Sequence, residues 1–180
     1  MERFKVSLIF IAVFLSLFVF TAVASEEVEG FVNIWNWGVV RPSIPAGYRL
    51  YVDRFINPYP LIEITFFEGR NAFEGKVWIT GRVLPDTESK KEYEKWLATY
   101  SVFINEYSNG NGVKFRKYIS KFNSQFGAKF VIFIAINGEY IIGISSQGGW
   151  VGDEVFTPSF LEVIVDGFNW KLDNRRYSGS

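Results

Sequence analysis

Hydrophobic and polar positions follow three regimes along the chain. Residues 6–20 are almost wholly apolar, broken only by Ser7 and Ser16. Between residues 31 and 83 apolar and polar positions alternate in short runs. Tyr48, Leu50 and Val52 share one side of a run, Ile62, Ile64 and Phe66 alternate with Glu63, Thr65 and Phe67, and Val77, Ile79 and Val83 stand opposite Trp78, Thr80 and Arg82. A period of two, interrupted at the turn-prone segments 41–45, 57–60 and 69–74, predicts antiparallel strands. Residues 31–40, aromatic and β-branched, read as one further strand.

The period then changes to 3.6. Tyr93, Trp96, Leu97, Tyr100, Phe103, Ile104 and Tyr107 fall on one helical arc, and the apolar stripe is expected to be core. Asp86 or Thr87 caps this helix after Pro85, with Ser89 and Glu92 offering a second capping register, and Asn109-Gly110-Asn111-Gly112 ends it. Phe115, Tyr118, Ile119, Phe122 and Phe126 form the stripe of a second helix closed by Gly127, so the pair is expected as an αα-hairpin.

Beyond it, residues 130–136 are apolar on both faces, the pattern of a central strand covered from two sides. Asn137-Gly138 predicts a type I′ hairpin into residues 140–145. Residues 147–158 read as a loop and residues 161–165 as a strand, with Asp166-Gly167 turning into residues 168–172. Strands, two helices and then strands give an α+β class: an antiparallel sheet of about 7–8 short strands with the two-helix hairpin packed on one face. A β-sandwich carrying the helical hairpin as an insertion is the alternative.

The first apolar run decides where this domain is expected to work. Arg3 and Lys5 precede it, and Ala22-Val23-Ala24 follows it as a small-x-small cleavage site. Together these read as a secretory signal peptide. The alternative is a retained anchor, because residues 6–24 are nearly long enough to span a bilayer as a transmembrane helix. In both cases the positive-inside rule leaves the remainder outside the cytoplasm. The expected organisation is residues 1–24 as signal or anchor, 25–30 as a short acidic linker, 31–172 as one domain, and 173–180 as a flexible tail.

Composition narrows the chemistry. The chain has neither cysteine nor histidine. Disulfides, thiolate metal sites, imidazole bases and Ser-His-Asp triads are therefore excluded, and no cofactor or metal is expected. Removing Arg3, Lys5 and Glu2 from nineteen basic and nineteen acidic residues leaves the exported part at a charge of −1. Nucleic acid is not an expected partner at that charge. With hydrophobic residues at 48% of the chain and aromatic residues at 19% of it, packing alone must hold the domain together.

Three constellations remain as candidates. Trp35 and Trp37, two apart, would share a strand face and could grip a glycan, or be buried in the core. The loop Trp150-Val151-Gly152-Asp153-Glu154 offers a ring and paired acids for a sugar or Ca²⁺, or serves only as a connection. Lys114, Lys117 and Lys121 would line the polar side of the second helix and could meet an anionic membrane surface or polymer. Catalysis would fall to a carboxylate pair drawn from Glu63, Glu68, Asp153, Glu154 and Glu162, each expected to face water where it alternates in a strand. The expectation is an exported, non-catalytic domain at the cell surface or secreted, with a binding or envelope-structural role. A carbohydrate-binding module and a small carboxylate-dependent hydrolase are the alternatives.

The intact mass of the exported protein tests the first regime. The expected mature chain begins at Ser25, and a chain still beginning at Met1 would establish the anchor instead.

Overall fold

The computed structural model describes residues 23–27, 30–55, 60–69, 72–121, 129–151 and 154–171. The export segment up to residue 22, the stripe residues Phe122 and Phe126 with Gly127, Asp153, and the tail 173–180 lie outside the described residues.

The architecture is mostly antiparallel sheet with two helices. In chain order the strands are β1 (Val23–Glu27), β2 (Val32–Ile34), β3 (Gly38–Val40), β4 (Tyr48–Phe55), β5 (Leu61–Glu68) and β6 (Ala72–Val83). Helix α1 (Thr87–Tyr100) follows, then β7 (Ser101–Ser108), β8 (Lys114–Ser120), β9 (Lys129–Asn137), β10 (Tyr140–Val151) and β11 (Glu154–Phe156). Helix α2 (Ser159–Gly167) and β12 (Phe168–Trp170) complete the described chain. The large sheet runs β1-β4-β5-β6-β10-β9-β8-β7, with β11 paired to β10, and a small sheet runs β12-β3-β2. Two meanders therefore meet at the β6–β10 pair, and α1 carries the chain from the middle of the sheet to its far edge.

Alternation gives the large sheet two different faces. Leu50, Val52, Ile62, Ile64, Val77, Ile79, Phe133, Ala135, Ile142 and Ile144 point inward to a core closed by Leu161, Ile164 and Val165 of α2 and by Val32, Ile34, Val40 and Phe168 of the small sheet. On the opposite face Tyr93 and Leu97 of α1 cover Ile134 and Ile141. The apolar strand β9 is covered from both sides, as its pattern requires. The two helices thus lie on opposite faces of the sheet, and the expected helical hairpin on one face is not formed.

Local chemistry explains each departure. Asp86 caps α1 by accepting from the Ser89 amide at 2.7 Å, and that bond holds its carboxyl below the ordinary value. The helix stops at Ser101, whose hydroxyl and backbone N–H both turn back to the Leu97 carbonyl. The β-branched and aromatic residues beyond it form strand β7, so Phe103 and Tyr107 belong to a sheet edge. Of the predicted helical stripe, Tyr93 and Leu97 are buried, while Trp96, Tyr100, Phe103 and Tyr107 are exposed.

Residues 114–120 are a strand, not a second helix. Phe115, Lys117 and Ile119 share its inner face, and the single cation among them breaks the apolar alternation that would have marked a strand. Conversely, residues 161–165 are helical. Leu161, Ile164, Val165 and Phe168 are spaced i, i+3, i+4, i+7 and all are fully buried, which outweighs the strand preference of Val163, Ile164 and Val165. At the β9–β10 hairpin the turn residues are Gly138 and Glu139, with positive φ at Gly138 (60°). Glycine at the first central position is the arrangement of a type II′ rather than a type I′ turn.

Residues 31–40 do not form one strand. They fold as the β2–β3 hairpin, turning at Trp35, whose φ of 48° lies in the left-handed region. Both indoles lie on Gly81 of β6, where a Cβ would overlap them. Part of the acidic segment 25–30 is strand β1, where Glu26 and Glu27 stand 3.7 and 3.8 Å from Arg54 and Arg49 of β4. Among the described residues no helix is long and apolar enough to cross a membrane.

The segment Asn109–Gly112 is the β7–β8 turn rather than a helix end. The buried Asn109 amide donates to the carbonyls of Val165 and Phe168 at 2.8 Å each, and its oxygen accepts from the amides of Asn111 (3.1 Å) and Val113 (2.9 Å). Asn109→Ala will leave the buried Val113 N–H and the Asn111 N–H without their acceptor and take one of two donors from each of the Val165 and Phe168 carbonyls, at a cost of about 3 kcal/mol, given ~1–3 kcal/mol for each buried group left unsatisfied. Asn109→Asp will cost at least as much, because a carboxylate cannot donate to those carbonyls. Urea unfolding midpoints of the two variants check this, and a midpoint unchanged in Asn109→Ala would contradict it.

Candidate functional site

In the small sheet the inward positions are filled by Val32, Ile34, Val40 and Phe168. The same alternation turns Asn33, Val39 and Asn169 outward, and the flanking positions 31, 41 and 171 with them. Two backbone bonds hold the strand ends in line: Arg41 N–H to the Gly167 carbonyl and Lys171 N–H to the Trp37 carbonyl, both 2.8 Å. Between this outer face and the flank of α2 lies a cleft of about 580 Å³. Phe31, Val39, Arg41, Asn169 and Lys171 line it from the sheet side and Asp166 from the helix.

The groups at this cleft have distinct states. Phe31 is 50% exposed, unusual for a phenyl ring. The side chains of Arg41, Asn169 and Lys171 form no hydrogen bond or ion pair among the described residues. Asn111 borders the cleft, its amide fixed on the carbonyls of Asp166 (3.2 Å) and Phe168 (3.0 Å), which leaves its oxygen as an acceptor. The Asp166 carboxylate accepts from the Tyr107 hydroxyl. Trp170 also borders the cleft, but its ring is packed at 82° against Phe168 on the inner side. The cleft therefore offers an apolar ring, amides and an acceptor carboxylate, with a cation at either end.

Behind it lies a second polar group. The Phe133 ring is met by Tyr107 (5.8 Å, 72°), by Phe115 (6.2 Å, 85°) and by the Lys117 ammonium at 5.6 Å. Lys117 donates to Thr157 Oγ1, and burial pushes its pKa down against the opposing charge of Glu162. The hydrogen bond to Asp166, followed by burial, pushes the Tyr107 phenol up to about 12. Tyr107 thus joins the cleft wall to the edge of the large sheet.

The residues singled out in the sequence are placed elsewhere. Trp35 and Trp37 are half-buried against the core, with centroids 5.2 Å apart at 52°, so they form neither a flat pair nor one strand face. Trp37 also leans on Tyr140 at 5.2 Å. Trp150 and Glu154 belong to the β10–β11 hairpin, opposite Val155 and Val151, and Asp153 is outside the described residues.

The lysine row is dispersed now that its segment is a strand. Lys114 is exposed, Lys117 faces the core side, and Lys121 follows the strand and donates to the Ala98 carbonyl. Glu63, expected to face water, is largely covered. It accepts from Lys76 and, at 2.8 Å, from Trp78 Nε1. Glu63 and the exposed Glu162 lie on opposite sides of the sheet, which separates them as a catalytic pair, and Glu68 is exposed at the end of β5.

The cleft residues were missed because each looked like punctuation. Asp166-Gly167 resembles a turn, Arg41 opens a proline-rich link, and Lys171 precedes the tail. None of them belongs to a motif, so the sequence carries no signal that joins them. No protein-family model matches the sequence, and comparison with curated proteins finds none that matches.

Tyrosine titration tests the wall of the cleft. Tyr93 is pushed up to about 12 by burial, against the charge of Arg82, and Tyr107 to about 12 by its bond to Asp166. The folded state keeps the Tyr107 proton to higher pH than the unfolded chain, whose value is about 10. The contribution to stability is therefore present below pH ~10 and lost between ~10 and ~12. In an ultraviolet-absorbance titration Asp166→Ala will move one tyrosine back toward 10 and leave Tyr93 high. An unchanged titration curve would show that the bond does not hold the proton.

Proposed function

We propose that this chain is an exported domain that binds and does not catalyse, and that the Phe31–Asn169–Asp166 cleft holds a saccharide. The observation that carries the reading is the exposed Phe31 ring set, in one concavity, beside polar side chains that have no partner among the described residues. Sugar rings present an apolar C–H face and a rim of hydroxyls that both donate and accept. Phe31 and Val39 suit the former. The Asn169 amide, the Asn111 oxygen and the Asp166 carboxylate suit the latter. Carbohydrate recognition thereby moves from the tryptophans to a phenylalanine.

Export rests on the basic, apolar and small-residue order of residues 1–24, which releases the domain or tethers it at the membrane. Binding rather than hydrolysis is favoured because Glu63 is committed to Lys76 and Trp78, away from Glu162. A glycan array read with two variants tests the assignment. Phe31→Ala will weaken the bound glycan about tenfold, the size of one lost ring contact at ~1.4 kcal/mol. Trp96→Ala, which removes an exposed ring on α1, will leave binding unchanged. Equal losses in both variants, or no retained glycan, would overturn the reading.

A further inference from the structure

The cleft carries more positive charge than a neutral sugar needs. Arg41 and Lys171 border it and neither is neutralised by a described side chain, although the exported part as a whole is at −1. The β3–β12 register separates them. Arg41 is level with Gly167 and Lys171 with Trp37, because Val40 pairs with Phe168 and Gly38 with Trp170. Four residues of strand place the two backbones about 13 Å apart along the cleft, with Val39 and Asn169 between them.

Resting on the saccharide reading, we propose that the ligand is an acidic oligosaccharide, a run of sugar units carrying carboxylates. Arg41 receives one carboxylate through its planar fork of N–H donors, and Lys171 receives a second further along as a point charge. Phe31, adjacent to Arg41 across the β2–β3 pair, supports the ring that bears the first. Asp166 selects against a free phosphate or other compact anion, since its carboxylate would repel such a group. It accepts sugar hydroxyls instead, so the anionic groups belong at the two ends of the cleft and the hydroxyls at its wall. A ligand with charges spaced along its length meets that arrangement, and a single small anion does not.

Three oligosaccharides tested on the full exported domain by calorimetry decide it: a uronic-acid oligomer, a sulfated oligomer of a neutral sugar, and the unmodified neutral oligomer. The expected order is uronate tightest, sulfated weaker, neutral weakest. Arg41→Gln and Lys171→Gln will each weaken uronate binding about tenfold and leave neutral binding unchanged. Raising the salt concentration will weaken uronate binding in the wild type far more than in the double variant. Circular dichroism of the variants confirms that they fold, since both side chains are at the surface. Equal affinity for uronate and neutral oligomers, with Arg41→Gln silent, would overturn the acidic class while a loss in Phe31→Ala upholds the saccharide site. Tighter binding of the sulfated oligomer would overturn the carboxylate assignment. Binding insensitive to Phe31→Ala would remove the saccharide site itself.

Discussion

A single buried carboxamide holds the two sheets in register. Asn109 sits at the tip of the β7–β8 hairpin, at the far edge of the large sheet, and reaches the point where α2 ends and β12 begins. Its two amide hydrogens meet the Val165 carbonyl of the last helical turn and the Phe168 carbonyl of β12, and its oxygen closes its own turn. Every polar atom of the side chain is used. Only asparagine combines this length with donors and an acceptor, so the position is chemically specific although it lies in a turn. The small sheet rests on the large one through apolar packing, which sets no register by itself. The carboxamide supplies that register, and the Tyr107–Asp166 and Asn111 bonds repeat the tie on either side.

The two faces of the large sheet solve different problems. The inner face needs flat cover, and it receives a helix and a hairpin whose rings lie directly on backbone at Gly81. The outer face is covered by α1 over β8, β9 and β10, leaving Lys76, Trp78 and Glu63 on the remaining strands to satisfy one another. Lys117 places a charge on the inner face. It shares that face with Phe115 and Ile119, and its ammonium lies near the Phe133 ring and reaches Thr157. A charged residue is tolerable there because the sheet is near its edge and α2 brings a carboxylate, Glu162, to the same side.

The fold was legible where one periodicity dominated. Strands β4, β5 and β6 alternate cleanly, β9 is apolar on both faces, and Pro85-Asp86 marks the start of α1 as capping chemistry requires. It was illegible where a residue served two purposes. Lys117 made a strand look helical, and the β-branched run in α2 made a helix look like a strand. Asn109-Gly110-Asn111-Gly112 fits a helix end and a hairpin turn equally well, and only the distant carbonyls of α2 and β12 distinguish them. Trp35 could not be read as a turn, since a bulky residue at positive φ is strained. Gly81, more than forty-five residues on, gives its ring the space that holds it there. The cleft was hidden for a related reason: its parts lie at strand ends far apart in sequence, and none belongs to a motif.

That placement has an energetic meaning. Arg41 and Lys171 could each have been paired with an acid at little cost, and Phe31 could have been polar without disturbing the core. A half-exposed ring and two cations whose side chains have no partner among the described residues contribute little to folding, since they bury little area. Their surroundings are, by contrast, tightly determined: Arg41 and Lys171 are fixed by backbone bonds to Gly167 and Trp37, and the helix wall by Asn109, Asn111 and Tyr107. Side chains that do little for stability, mounted on a backbone held in this way, are what a preorganised binding surface requires. The rigid junction that Asn109 creates therefore has two outcomes, one for the fold and one for the cleft. The same carboxamide that joins the sheets ties the helix end that carries Asp166 to the strand that carries Asn169.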